Sequence, residues 1–238
     1  MSADDPDSRQ LVLPLALPPA QGRDEFVATP ANRAALRLVD AWETTPAPLA
    51  VIVGPDGSGK SHLAAIWGAR TGRPVLPAAR LGSLDPISLV AGGDVALEDV
   101  DGPGLDQTAL FHLFNAARGA GARILMTART APEHWPIVTA DLRSRLRTAI
   151  PVEIGPPDEA LLPAILMKLF LDRGLDVDPG VLDYLTARME RSYAAAGALA
   201  EAIDRRSLAL GRRPTRRIAA AALEDLGLGG DPEAEDPA

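Results

Sequence analysis

The sequence predicts an α/β fold, a parallel sheet flanked by helices with a small all-helical lid subdomain behind it. Three observations carry this. Short apolar runs alternate with helical patterns between residues 49 and 154. A glycine-rich stretch, Gly54–Ser61, joins the first run to the helix after it. After Pro156 and Pro157 only helical periodicity remains. The 238 residues suffice for one α/β domain and a small second one, and 47% hydrophobic content is enough for a sizeable core.

Taken in order, residues 1–22 are rich in Pro and poor in periodic apolar positions, and read as a flexible tail. A helix follows Pro30, with Asn32 near its start, Ala35, Leu38, Val39 and Trp42 on one face, and Pro46 and Pro48 ending it. Leu49–Val53 reads as a buried strand and Ser61–Arg70 as a helix. Pro74–Leu76, Asp94–Leu97, Arg123–Thr127 and Val152–Ile154 read as further strands, with a helix over Leu105–Arg118. Residues 23–155 thus form the α/β domain. Residues 156–226 form the helical subdomain, with helices over Glu159–Arg173, Pro179–Glu190, Tyr193–Ala209 and Thr215–Leu226. Residues 227–238, Gly-, Pro- and acid-rich, read as a disordered tail.

There is no cysteine, which excludes disulfides and thiolate metal sites and fits a reducing compartment. The N-terminus is acidic and unlike a signal peptide, and no apolar stretch approaches a membrane span, so a soluble cytoplasmic protein is expected. A net charge of -8 opposes DNA at long range, so no direct specific DNA binding is expected. The one dense basic stretch, Arg205, Arg206, Arg212, Arg213, Arg216 and Arg217, reads either as a solvated helical face or as a local DNA-binding patch.

Gly54, Pro55, Asp56, Gly57, Ser58, Gly59, Lys60 and Ser61 match the phosphate-binding P-loop without gaps, between an expected strand and an expected helix. Glycines let successive N–H groups face the phosphates, and the helix N-terminus adds a favourable dipole. Lys60 would reach the β- and γ-phosphates and Ser61 would offer a hydroxyl to Mg²⁺. A purine nucleotide, ADP or ATP, is the expected ligand. An acid is then needed at a neighbouring strand end to hold Mg²⁺ or its water, and Glu98 and Asp99 follow Val95–Leu97 in that place. Thr127 ends another strand and reads either as a γ-phosphate or water contact or as a plain strand terminus. Arg143, Arg145 and Arg147 alternate with other residues over one helical turn. They read either as solvated charges or as a source of an arginine donated to a neighbour's nucleotide. In the tail, Gln10, Leu11, Val12, Leu13, Pro14 and Leu15 suit an extended peptide docking in a partner's groove, or a strap on the chain's own domain.

Together these pieces, spanning roughly residues 10–226, resemble the short DnaA-related AAA+ proteins of the Hda type. The resemblance implies an AAA+ P-loop fold with a helical lid. It implies that Gln10, Leu11, Leu13, Pro14 and Leu15 dock on the replication sliding clamp, the beta subunit of DNA polymerase III. Phe26, Val27 and Asn32 resemble the segment that cups adenine, with Gly54–Ser61 and His62 as the P-loop. Arg145, in Leu142-Arg143-Ser144-Arg145-Leu146, resembles a trans arginine finger. The implied role is stimulation of ATP hydrolysis on DnaA, which inactivates the initiator. A homodimer is compatible with it. The chain stops where DnaA would begin its DNA-binding domain, which speaks against an initiator role. The sequence departs from the family at Glu98, where an Asp is usual, at Thr127-Ala128, which lacks the sensor acid, and at Tyr193, where a lid arginine is expected. Arg191 lies two residues away as a substitute. These departures imply weak or absent intrinsic hydrolysis. The alternatives are an autonomous P-loop ATPase acting as a conformational motor, or a DNA-associated loader.

Overall fold

The computed structural model describes residues 22–228. Its centre is a five-stranded sheet of β1 (Leu49–Val53), β2 (Val75–Pro77), β3 (Val95–Glu98), β4 (Ile124–Ala128) and β5 (Ile150–Glu153), in the order β2-β3-β4-β1-β5. Every strand pair is parallel. The strands β1 and β4 are buried along their whole length, and β1 accordingly reads as an unbroken apolar run, while β4 carries one polar residue, Thr127. Successive residues nevertheless serve opposite faces. Leu49, Val51 and Val53 join one core with α3 (Pro86–Val90), α4 (Gln107–Ala120) and α5 (Ala140–Leu146). Ala50 and Ile52 join the other with α1 (Arg33–Asp40) and α2 (Lys60–Thr71). A third core lies within α6 (Leu161–Leu171), α7 (Pro179–Thr186), α8 (Tyr193–Leu210) and α9 (Arg216–Leu226).

Several boundaries differ from those expected, each for a physical reason. The strand β5 starts at Ile150 and takes in Pro151, because it is an edge strand where a missing N–H is tolerated. The first helix ends at Asp40, before the prolines, and Trp42 is buried in a separate 3-10 turn, Trp42–Thr44. The helix α7 ends at Thr186, whose hydroxyl bonds back to the Leu182 and Asp183 carbonyls. Between β2 and β3, a 3-10 stretch (Ala78–Ser83) and α3 were not expected. The start of α3 carries a readable signal, since Asp85 accepts from the Ile87 and Ser88 N–H groups and Pro86 opens the helix.

At the N-terminal ends of the strands, Asp94 ties three elements together. It accepts from Trp42 Nε1 at 2.7 Å, from the Arg123 backbone N–H at 2.8 Å and from the Arg123 guanidinium at 2.9 Å. Burial works to raise the Asp94 pKa, but these hydrogen bonds and the Arg123 charge more than offset it, and the pKa lies below the ordinary value. The stability that this depression contributes is therefore present at neutral pH. It is lost as the pH falls below the ordinary aspartate value of about 3.9 and through the depressed one. Asp94→Ala should cost about 2–3 kcal/mol in urea denaturation, since it strands a largely buried guanidinium.

Candidate functional site

The site lies at the C-terminal ends of the strands, around the loop between β1 and α2. Gly54 N–H donates to the Ala128 carbonyl at 3.1 Å, fixing the loop's first residue against β4. Gly57 and Gly59 have φ of 78° and 93°, a region that side chains disfavour. A Cβ on Gly59 would also press on Phe26 at 3.3 Å, and one on Gly57 would meet Tyr193 at 3.4 Å. Ser61 is exposed in the first turn of α2. Lys60 is buried, and its ammonium donates to the Gly54 and Pro55 carbonyls at 2.8 Å each. Desolvation holds its pKa below the ordinary lysine value, against the opposing charges of Asp56, Asp99 and Asp101, while Arg129 lowers it further. A phosphate over the loop would replace two neutral carbonyls with a full counter-charge.

Glu98 ends β3 and Asp99 follows it. Asp99 is the single non-glycine residue with positive φ among the described residues, at 55°, a conformation Asp tolerates and one that recurs at functional sites. Its backbone N–H donates to Thr127 Oγ1 at 3.1 Å, so the buried Thr127 hydroxyl holds the acidic turn in place. Glu98 Oε1 is buried without a hydrogen-bond partner. That orphaned oxygen and the Ser61 hydroxyl are hard donors of the kind Mg²⁺ takes. Among the described residues, no cluster of three or more His, Cys, Asp or Glu could hold a metal unaided. A cation here would therefore need phosphate oxygens to complete its shell, as Mg²⁺ commonly does.

Beside the loop is a cleft of about 150 Å³ whose lining includes Phe26, Val27, Asn32, Gly59, His62 and Tyr193. Asn32 does not cap α1. Its side chain accepts from Thr29 N–H and donates to the Val27 carbonyl, both at 2.9 Å, and so shapes the 26–32 turn. Phe26 packs edge-on against His62, whose Nε2 lies 2.9 Å from the Gly22 carbonyl oxygen. Tyr193 opens α8, and its hydroxyl donates to the Gly155 carbonyl at 3.2 Å. Burial raises the phenol's pKa, so it is neutral. Arg191 is exposed and pairs with Glu159 at 2.7 Å, and it does not line the cleft.

Arg145 stands elsewhere. With Pro48, Leu49 and Arg123 it lines a concavity of about 620 Å³ at the opposite ends of the strands. The span of β1 alone separates it from the P-loop by roughly 13 Å or more. Its guanidinium lies 4.9 Å from the centre of the Phe111 ring, with no ion-pair partner among the described residues. Arg143 instead donates to the Ile137 carbonyl at 2.6 Å, and with Arg147 it lines a different hollow. The peptide Gln10, Leu11, Leu13, Pro14 and Leu15 lies outside the described residues.

Two residues next to the P-loop were not singled out from the sequence. Asp101 accepts from the Arg129 and Thr130 N–H groups at 2.9 Å each, and Arg129 pairs with Asp56 at 3.1 Å. Arg129 could have been found, since it sits two residues beyond Thr127 and so just past a strand end that faces the loop.

The chain matches DnaA, the chromosomal replication initiator protein, of Corynebacterium aurimucosum with 32% identity over 96 residues. That match takes in 40% of this chain and 18% of that protein. It matches DnaA of Thermus thermophilus with 32% identity over 144 residues, 60% of this chain and 30% of that one. The chain is homologous to the AAA+ part of DnaA. It spans only 18% to 30% of the length of the DnaA proteins it matches. Domain III of Thermotoga maritima DnaA superposes with a TM-score of 0.71 at 20% identity, covering 88% of this chain and 98% of that one. The AMPPCP-bound DnaA of Aquifex aeolicus gives 0.62 at 22% identity, with 85% and 69% covered. RuvB of T. maritima, a Holliday junction branch migration motor, gives 0.64 at 18% identity, with 92% and 75% covered. These likenesses establish an AAA+ P-loop fold for this DnaA-like chain. No protein-family model matches it.

No helix of the described residues is long and apolar enough to cross a membrane. Within the arginine-rich stretch, Arg205 pairs with Glu201, Arg206 with Asp225, and Arg213 with Asp176, while Arg216 donates to the Gly180 carbonyl.

Proposed function

We infer that this chain is a nucleotide-binding regulator of chromosomal replication initiation that donates Arg145 to ATP bound on DnaA. The observation that carries this reading is the separation of Arg145 from the chain's own P-loop by the length of the sheet. At that distance it does not reach the chain's own nucleotide site, which supports a role at a site on another molecule. A guanidinium brought to the γ-phosphate stabilises the charge that develops during phosphoryl transfer. Homology to DnaA supports a partner of the same architecture, since like AAA+ surfaces can stack head to tail.

In this reading the P-loop holds ADP or ATP to set a conformation. Phe26, Val27, Asn32 and His62 shape the base end of the cleft, and the backbone of Gly54–Ser61 with Lys60 takes the phosphates. Mg²⁺ would be held by Ser61 and by Glu98 or Asp99, and it would neutralise charge between the β- and γ-phosphates. The AMPPCP bound to A. aeolicus DnaA supports nucleotide as the ligand of a related fold. Purified protein alone should show no steady ATP turnover, and phosphate should appear once ATP-loaded DnaA is added. Steady turnover without DnaA, abolished by Lys60→Ala, would favour an autonomous ATPase instead.

Docking on the sliding clamp through Gln10, Leu11, Leu13, Pro14 and Leu15 belongs to the same proposal and rests on the peptide's sequence. Replacing Gln10, Leu11 and Leu15 with Ala should abolish co-elution with the clamp in gel filtration. Unchanged co-elution would remove the clamp from the account. A DNA-loader role gains little from the arginine-rich stretch, where three of six arginines already face carboxylates.

A further inference from the structure

The buried hydrophobic residues of α6–α9 pack among themselves, with two exceptions. Leu161 and Tyr193 join the core of α1 and α2 instead. Tyr193 makes the closer connection. It opens α8, where Ser192 caps the helix by accepting from the Ala195 N–H, so its backbone moves only with the helix. A Cβ on Gly57 of the P-loop would be in contact with the Tyr193 Cβ, at 3.4 Å, and with its carbonyl, at 3.6 Å. Tyr193 is 4% exposed, and its hydroxyl donates to the Gly155 carbonyl at 3.2 Å.

Gly155 is where the chain leaves the sheet. Ile154 N–H donates to the Val53 carbonyl at 2.7 Å and Gly155 N–H to the Ala31 carbonyl at 2.9 Å, after which Pro156 and Pro157 offer no N–H. The Tyr193 hydroxyl thus returns, 38 residues later, to the point of departure and fastens α8 to it.

The cleft lies between these two parts. Phe26, Asn32 and His62 line it from one side, and Leu161, Ile165 and Tyr193 from the other. At about 150 Å³ it is smaller than the roughly 300–1,000 Å³ of pockets that enclose a whole ligand, so passage of a nucleotide requires the two sides to part. Parting them carries α8 off the P-loop and takes the Tyr193 hydroxyl off Gly155. The contacts that close the cleft are made between protein groups, so they act equally before a nucleotide binds and after.

We propose that Tyr193 is the latch of nucleotide exchange, its bond to Gly155 holding the cleft shut and breaking each time a nucleotide enters or leaves. This rests on the nucleotide-binding reading above and adds a kinetic control to it. The latch acts on passage and not on affinity, because the bond is present at both ends of the exchange and missing in between.

The test is stopped-flow mixing of the full chain with ADP that carries a fluorescent N-methylanthraniloyl group on its ribose, followed by a chase with unlabelled ADP. The first gives the association rate and the second the dissociation rate. Tyr193→Phe keeps the ring and removes the hydroxyl. It should raise both rates together about fivefold, the size of one neutral hydrogen bond, and change the dissociation constant by less than about twofold. Tyr184→Phe, at the other tyrosine of the chain, should leave both rates as they are. Tyr193→Leu serves as a second variant should the Phe protein melt early, and it should raise both rates at least as much. Faster dissociation with unchanged association would make Tyr193 an ordinary contact with the nucleotide and overturn the proposal, as would two unchanged rates. Lys60→Ala reports on the underlying reading alone. Loss of the labelled ADP upholds it, and binding unaffected by Lys60→Ala brings down the nucleotide site itself.

Discussion

Replacing Arg145 with Ala should leave nucleotide binding intact and reduce the acceleration of hydrolysis on DnaA by about 10³-fold or more, the scale on which donated arginines act. The expectation follows from where the side chain is. Arg145 touches neither Lys60 nor the acids at the end of β3, so its removal leaves the chain's own site undisturbed. Within its helix it contributes a contact with the Phe111 ring, worth about 0.5–1 kcal/mol at a partly exposed position, and no ion pair. The variant should therefore fold. Arg145→Lys should not restore function, because an ammonium lacks the planar fork. The assay is single-turnover release of phosphate from DnaA preloaded with ATP. Arg143→Ala is a demanding control, since Arg143 is spent on the Ile137 carbonyl and should matter for the fold of the α5 region more than for the rate.

Lys60→Ala should lower nucleotide affinity by about 100-fold or more, the second large effect. The Lys60 ammonium is buried at the centre of the loop, and burial already disfavours its charge. The protein sustains that cost at this one lysine, which is intelligible if a phosphate compensates it. Removing the side chain takes away a full counter-charge where two to three phosphate charges would gather. The same change withdraws a donor from the Gly54 and Pro55 carbonyls, so a modest loss of stability of about 1 kcal/mol should accompany it. Titration with ADP at a temperature well below the melting transition separates the two effects.

The fold was legible because its central strands are covered on both faces. Leu49–Val53 is apolar without interruption, and no alternative to a buried parallel strand suits a run of five ended by glycine. The P-loop was legible for a different reason, since backbone wrapping demands glycine at positions such as Gly57 and Gly59 whatever surrounds them. Elements at the sheet margin were harder. Pro151 reads as a breaker unless the strand is known to be an edge, and α3 is too short for periodicity to show. The site was half legible. Residues on the motif come from the chain's local order, but Arg129 and Tyr193 reach the loop from just beyond β4 and from α8, and Asp101, beyond β3, holds the Arg129 backbone. Only the sheet register and the packing of α8 bring them there. The arginine trio shows the same limit. Sequence gives three candidates; Arg143 bonds to the Ile137 carbonyl and lines a different hollow with Arg147, while Arg145 lines the larger concavity.

In the proposed function, the P-loop and Arg145 of this chain serve two different nucleotides. The most direct measurement loads DnaA with ATP labelled on the γ-phosphate and this chain with unlabelled ADP. Free nucleotide is removed, the two proteins are mixed with DNA-loaded sliding clamp, and released phosphate is followed over time. All label then originates on DnaA. The expected result is rapid release that disappears with Arg145→Ala. Release no faster than from DnaA alone, or acceleration that survives Arg145→Ala, would contradict it.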